Sequence, residues 1–236
     1  MKTRLYFIPN IFTLLNLFFG FLALLKIVSG EYHLAAWFIL FAVIFDAWDG
    51  AVARITNSES KFGFEFDSLA DLISSGLAPC LLIYTSVLSN YGVVGIIVCF
   101  CYIFTGIYRL SRFNVLNTQK KCKGYTGLPL PVSAVTIAAL WIFDSPFITL
   151  NISGWWAYIM VYLSIVMISP VPYNWPVINF NKGYKTGIIS AALLLGIAIM
   201  ILFPKKYLFP LVMIYILYGV IKWSIRLVCN KRRGGK

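Results

Sequence analysis

Acid is scarce in this chain. Of its 236 residues eight are Asp or Glu, against twenty Lys or Arg, and there is a single His. Charged residues of both signs make up 12%, where soluble domains carry about 25%, while 60% of the residues are hydrophobic and the mean hydropathy is +0.84. A separate soluble lobe is excluded, because only short polar joints interrupt the apolar runs. The five cysteines, Cys80, Cys99, Cys101, Cys122 and Cys229, are odd in number and lack paired ligand spacing, so free thiols and no zinc site are expected. The lone His33 falls in an interfacial stretch away from any acid cluster, which leaves carboxylates as the evident general bases. No basic-aromatic module of soluble type accompanies the net charge of +12, so nucleic acid is not an expected partner.

What is present is a series of apolar runs of membrane-crossing length. Runs near 10–29, 33–54, 67–89, 92–110, 130–147, 154–170, 186–203 and 207–227 predict about eight transmembrane helices, an all-α polytopic bundle. Residues 1–9 are short and mixed and show no cleavage site, so the first span is expected to remain in the protein. Apart from Lys26, Lys205 and Lys206, every Lys and Arg falls on one side of these spans; the positive-inside preference makes that side, with both termini, cytoplasmic. "EYHLAAW", "SNY" and "ISGWWAY" then lie at the outer interface, where aromatic rings anchor. The excess of basic charge also favours anionic membrane lipids. The expected organisation is one membrane-embedded domain over 1–236, with the last two spans, 186–227, peripheral to it.

Six of the eight acidic residues are concentrated in "FDAWDGAVARITNSESKFGFEFDSLADLISSG", residues 45–76. Asp46 and Asp49 are spaced i,i+3 near the end of the second predicted helix, and Asp67 and Asp71 i,i+4 at the start of the third. Each spacing puts its pair on one helical face. An antiparallel hairpin brings both faces to one membrane depth. Ionisable groups there are costly and need compensation. Arg54 and Lys61 are too few for it, whereas hard oxygen ligands in this number suit Mg²⁺, Mn²⁺ or Ca²⁺. Paired ions of this kind clamp phosphates, which points to a phosphate-containing substrate. Gly50, Ala53 and Gly63 beside the carboxylates allow a ligand close approach, though small residues also serve helix packing. A solvated acidic loop fits the helical phase poorly. A cation pathway would place acids at several depths, and here all but Glu31 and Asp144 lie at one face.

The arrangement Asp46-x2-Asp49-Gly50-x2-Ala53-Arg54-x8-Gly63-x3-Asp67-x3-Asp71 resembles, at every fixed position, the signature of the CDP-alcohol phosphotransferase family. The resemblance implies that family's fold and its chemistry, transfer of a phosphoalcohol group from a CDP-alcohol to an acceptor hydroxyl with release of CMP. It implies two divalent cations, Mg²⁺ or Mn²⁺ with Ca²⁺ able to stand in, held by Asp46, Asp49, Asp67 and Asp71. Asp71 would also be the catalytic base. Asn10, Thr13, Gly50, Ala53, Arg54 and Gly63, with Asp46, Asp49 and Asp67, would line the CDP-lipid site.

"IPNIFTLLNLFFG" at 8–20, "DSLADLISSGLAP" at 67–79, "RLSRFN" at 109–114, "YTGLPLPVSA" at 125–134 and, more loosely, "MISPVPY" at 167–173 resemble the branch of the family that takes CDP-diacylglycerol as donor and L-serine as acceptor. Ser75 departs from that branch, which has phenylalanine there. The branch implies phosphatidylserine and CMP as products, a prokaryotic cytoplasmic membrane with the site facing the cytoplasm, and a homodimer. Arg109 and Arg112, spaced i,i+3 at a helix end, are the candidate acceptor-binding residues, since a guanidinium pairs with carboxylate or phosphate; the alternative is that they are topology charges. Glycerol 3-phosphate, inositol phosphate and choline are the competing acceptors. A transporter or a lipid-binding protein is the alternative outside the family.

Overall fold

The structure, a computed structural model, describes residues 7–56, 60–118, 127–143, 155–171, 173 and 204–233. Among these residues the regular elements are all helical: α1 (Phe7–Val28), α2 (Tyr32–Thr56), α3 (Lys61–Asp71), a π-helical turn (Leu72–Leu77), α4 (Ala78–Ser86), a short 3₁₀ turn (Leu88–Tyr91), α5 (Val93–Thr118), α6 (Leu130–Ile142), α7 (Trp155–Ile168) and α8 (Pro204–Arg233).

Among the described residues, five helical stretches are long and apolar enough to cross a membrane: Asn10–Val28, Tyr32–Ala53, Lys61–Ser86, Val93–Val115 and Lys206–Ile225. They correspond to five of the expected spans. Within the runs at 130–147 and 154–170 the described residues include the shorter helices α6 and α7, of 13 and 14 residues. The expected span at 186–203 lies outside the described residues, as do Cys122 and Asp144; Cys80, Cys99 and Cys101 are free thiols.

Small residues set the spacing of the first two helices. Ala23 on α1 and Ala35, Ala36 and Ala42 on α2 are wholly buried, which lets the two backbones approach closely. At one end the hairpin turns at Gly30, whose φ of 76° is readily adopted without a Cβ, and Lys26 pairs with Glu31 at 2.7 Å. Towards the other end Phe19 stacks on Phe45, centroids 5.2 Å apart.

The third span begins earlier than its hydropathy suggests. Helix α3 starts at Lys61, where Ser60 Oγ accepts the amide N–H of Gly63 at 2.9 Å, so the amphipathic stretch "KFGFEF" is already helical and Asp67 and Asp71 lie in its second and third turns. The π-helical turn follows Asp71 directly. It packs against α1, and at the closest point a Cβ on Gly20 would lie 2.7 Å from Ser74 Cβ and 2.8 Å from Ser74 Cα. Only a glycine allows the two helices this contact.

Helices α5 and α6 close the bundle on the other side. Tyr102 on α5 donates to Ser75 O at 3.3 Å and shares a hydrogen bond with Ser133 Oγ on α6 at 2.8 Å, tying three elements together in the apolar core. Gly127 N–H donates to Val171 O at 2.9 Å, and Leu128 N–H to Val166 O at 3.2 Å, which fixes the entry to α6 against the end of α7. Helix α8 packs on α6, and Tyr173 donates to its Ile216 O at 3.2 Å.

Candidate active site

At one end of the bundle α1, α2 and the third span bring polar side chains together, and the registers of the helices explain how. Helices α1 and α3 run parallel while α2 runs against them. One tier holds Thr13, Asp49 and Asp67; the next, one turn deeper, holds Asn16, Asp46 and Asp71. Thr13 Oγ1 donates to Asp49 Oδ2 at 2.8 Å, and Asn16 Nδ2 donates to Asp71 Oδ1 at 3.1 Å. Thr13, Asn16, Asp49 and Asp71 are all buried, whereas Asp46 and Asp67 are half-buried. The spacing Thr13-x2-Asn16-x3-Gly20 puts two donors and one contact glycine on a single face of α1, so the close approach at Gly20 sets the reach of the other two.

The carboxylates converge. One oxygen from each of Asp46, Asp49 and Asp67 lies within 4.8 Å of the other two. These are hard oxygen donors without nitrogen or sulfur, and Asp67 Oδ1 is buried with no hydrogen-bond partner, a site a cation would satisfy. The residues fit a divalent metal of the Mg²⁺ or Mn²⁺ kind. Asp71 stands outside this group of three, its carboxyl beside that of Asp46.

Other sequence-predicted residues are placed as follows. Asn10 and Gly63 adjoin: a Cβ on Gly63 would be 3.1 Å from Asn10 Oδ1 and 3.0 Å from Ser60 Oγ. Gly50 and Ala53 lie half-buried on α2 one turn or less beyond Asp49, and Arg54 follows on the same helix. Arg109 on α5 is 7% exposed, and its charge is near enough to act on Asp71. Arg112 is half-buried a turn further on. Asn114 donates to Ser68 Oγ at 3.1 Å, holding this end of α5 beside α3. His33 is exposed at the far end, its ring 6.3 Å from that of Trp141.

Sequence reasoning missed Asn16. A carboxamide in the middle of an apolar span was the available signal, since polar groups there are costly and face a partner. What no spacing rule gives is its partner, 55 residues away.

A family model described as CDP-alcohol phosphatidyltransferase matches residues 6–169, a range that contains all of these residues. The chain belongs to that family. Among its relatives are the CDP-diacylglycerol–serine O-phosphatidyltransferase of Helicobacter pylori, 32% identical over 97% of both chains, and that of Methanocaldococcus jannaschii, 31% identical over 92% of this chain and 94% of the relative. The archaetidylserine synthase of Methanothermobacter thermautotrophicus is 39% identical over 70% of this chain and 69% of its own. The family is one of transferases. The names of these three relatives vary in the lipid and keep the serine.

Proposed function

We propose that this transferase moves the phosphatidyl group of CDP-diacylglycerol to the hydroxyl of L-serine, giving phosphatidylserine and CMP. The observation that carries the reading is the convergence of Asp46, Asp49 and Asp67 within a chain whose relatives are named for serine. In the reaction the serine oxygen bonds to the phosphorus that bears the diacylglycerol. The bond from that phosphorus to the bridging oxygen breaks, and CMP leaves with the electron pair.

Two divalent cations held by Asp46, Asp49, Asp67 and Asp71 would, when bound, neutralise the pyrophosphate and the charge developing on CMP. Thr13 fixes the orientation of Asp49 through its hydroxyl. Asp71 accepts the proton of the serine hydroxyl, with Asn16 holding one of its oxygens so that the other is presented. Asn10, Gly50, Ala53, Arg54 and Gly63 form the wall for the CDP moiety, and Gly63 leaves room where a side chain would meet Asn10. Arg109 and Arg112 receive the serine carboxylate, for which a guanidinium offers a planar pair of donors. The acyl chains remain in lipid.

The site faces the cytoplasm of a prokaryotic cell, because the basic residues gather at the acidic end of the bundle. The protein acts as one membrane domain, as a homodimer. CMP release from CDP-diacylglycerol and Mg²⁺ or Mn²⁺, measured across L-serine, glycerol 3-phosphate, inositol phosphate and choline, tests the assignment. Release that depends on serine and on metal together supports it. Release with another acceptor in place of serine would reassign the substrate.

A further inference from the structure

Around Asp71 and in the π-helical turn that follows it, the catalytic reading leaves several buried oxygens unused. Asn16 Oδ1, Ser74 Oγ and Ser75 Oγ are buried and have no hydrogen-bond partner, and all three residues are wholly inaccessible. Asn16 and Ser74 follow the register already described: Asn16 bonds Asp71, and one turn deeper Gly20 abuts Ser74; Ser75 is next in the chain, its carbonyl taken by Tyr102. The two serines differ from others in this protein. Ser68, Ser86 and Ser164 return their hydroxyls to the carbonyl four residues earlier, the usual resort of a serine in an apolar helix. Ser74 and Ser75 lie in the π-helical turn and make no such bond. π-turns inside α-helices frequently sit at functional sites.

The orientation of Asn16 follows from Asp71. An ionised carboxylate only accepts, so the amide nitrogen must face it and the amide oxygen is left over as an acceptor. A missing partner for Asn16 Oδ1 must therefore bring an N–H or O–H group, whereas a serine hydroxyl can take either role; beside the base, the partner must also be small. An ammonium group brings three donors and no acceptor. In L-serine it stands on the carbon adjacent to the one bearing the hydroxyl, so a group that holds the ammonium beside Asp71 also delivers the hydroxyl to Asp71. Closed from solvent, the ammonium would be desolvated, and the carboxylate next to it supplies the opposing charge.

We propose that Asn16 Oδ1, with the Ser74 hydroxyl one turn deeper, receives the ammonium of the acceptor and so selects a 2-amino alcohol over a hydroxyl compound that lacks nitrogen. This inference rests on the serine reading above. Arg109 approaches Asp71 from a different helix, α5 rather than α1, as suits a substrate whose carboxylate and ammonium point apart.

The experiment compares L-serine with 3-hydroxypropanoate, which keeps the hydroxyl and carboxylate and lacks only the ammonium, using the full chain in detergent with CDP-diacylglycerol and Mg²⁺. Asn16→Leu removes the acceptor and also the bond to Asp71. Loss of the bond to Asp71 slows both acceptors alike, so the ratio of their kcat/KM values isolates the ammonium contact. The ratio favouring serine is expected to fall roughly tenfold or more, as loss of one hydrogen bond to a charged group implies, while the KM for CDP-diacylglycerol stays within about twofold. Ser74→Ala, which deletes a hydroxyl that makes no bond in this structure, should keep the Tm and lower the same ratio severalfold; it decides alone should Asn16→Leu fail to fold. Serine turnover with an unchanged ratio in both variants, or in Ser74→Ala where only that variant folds, would overturn this inference and leave the serine reading standing. A wild-type protein that releases no CMP with serine would overturn both.

Discussion

The four aspartates divide by what holds them. Thr13 and Asn16 each restrain one oxygen of Asp49 and Asp71, while Asp67 keeps a buried oxygen with no partner at all. Asn in place of Asp46, Asp49 or Asp67 preserves shape and removes a charged ligand, so each variant should lose most CMP release, roughly 100-fold or more by analogy with other electrostatic groups. Each should also need more Mg²⁺ to reach half-maximal rate. Near-normal turnover with an unchanged metal titration in any two of them would remove the metal assignment. Thr13→Val tests the supporting bond separately, and should weaken metal affinity by about 10- to 100-fold, the range for a group that orients a ligand. Arg109 and Asp71 separate recognition from chemistry. Arg109→Lys keeps charge but loses the paired donors and should chiefly raise the KM for serine. Asp71→Asn should lower kcat by about 10²- to 10⁴-fold, the contribution of a general base. Kinetics with each substrate varied in turn distinguishes them, and an Arg109→Lys effect confined to the lipid KM would move that arginine to the donor phosphates.

Among the elements, α1 does the positioning, and its contact at Gly20 is the point on which the rest depends. A methyl group there would sit within 3 Å of both Ser74 Cα and Cβ, and backbone cannot swing aside as a long side chain can. Gly20→Ala should therefore push α1 off the π-helical turn, at a cost of about 1–3 kcal/mol. In a chain of this size that is a fall of a few degrees or more in Tm. Activity should fall more than stability suggests, because Thr13 and Asn16 move with the helix. A thermal scan in detergent alongside CMP release checks this, and a variant with unaltered Tm and rate would show that the contact does not position the site. The same contact marks the limit of sequence reading. The aspartate faces were legible because charge is rare in apolar runs and helical phase is regular. Their partners on α1 were not, since nothing local ties Thr13 to a residue 36 positions away or Asn16 to one 55 away. Hydropathy placed the start of the third span at residue 67, because it detects apolar length; the helix begins at Lys61 because Ser60 caps it. The π-helical turn has no signature in composition, and only the unpaired serines reveal its consequence.

For the whole molecule, the decisive asymmetry among the described residues is that the candidate site lies towards one end of the bundle. Thr13, Asn16, the four aspartates, Arg109 and Arg112 all lie towards the end where α1 and α3 begin and α2 and α5 finish. At the opposite end Lys26, an exception to the charge bias, is held by Glu31 at 2.7 Å, and the Tyr32 hydroxyl donates to the carbonyl of Thr85 at 3.5 Å. Basic residues resist translocation, so the end richer in them should stay in the cytoplasm, where a polar acceptor and a CDP-lipid headgroup can both enter. The orientation can be read with single cysteines in a background whose five natural cysteines are replaced. Lys61 and Asn90 suit the purpose, being exposed and at opposite ends, the first opening α3 and the second in the 3₁₀ turn after α4. Asn90→Cys should react with a membrane-impermeant maleimide in sealed cells, and Lys61→Cys only after permeabilisation. Labelling of Lys61→Cys from outside intact cells would invert the protein, and would require serine and CDP-diacylglycerol to meet on the outer surface.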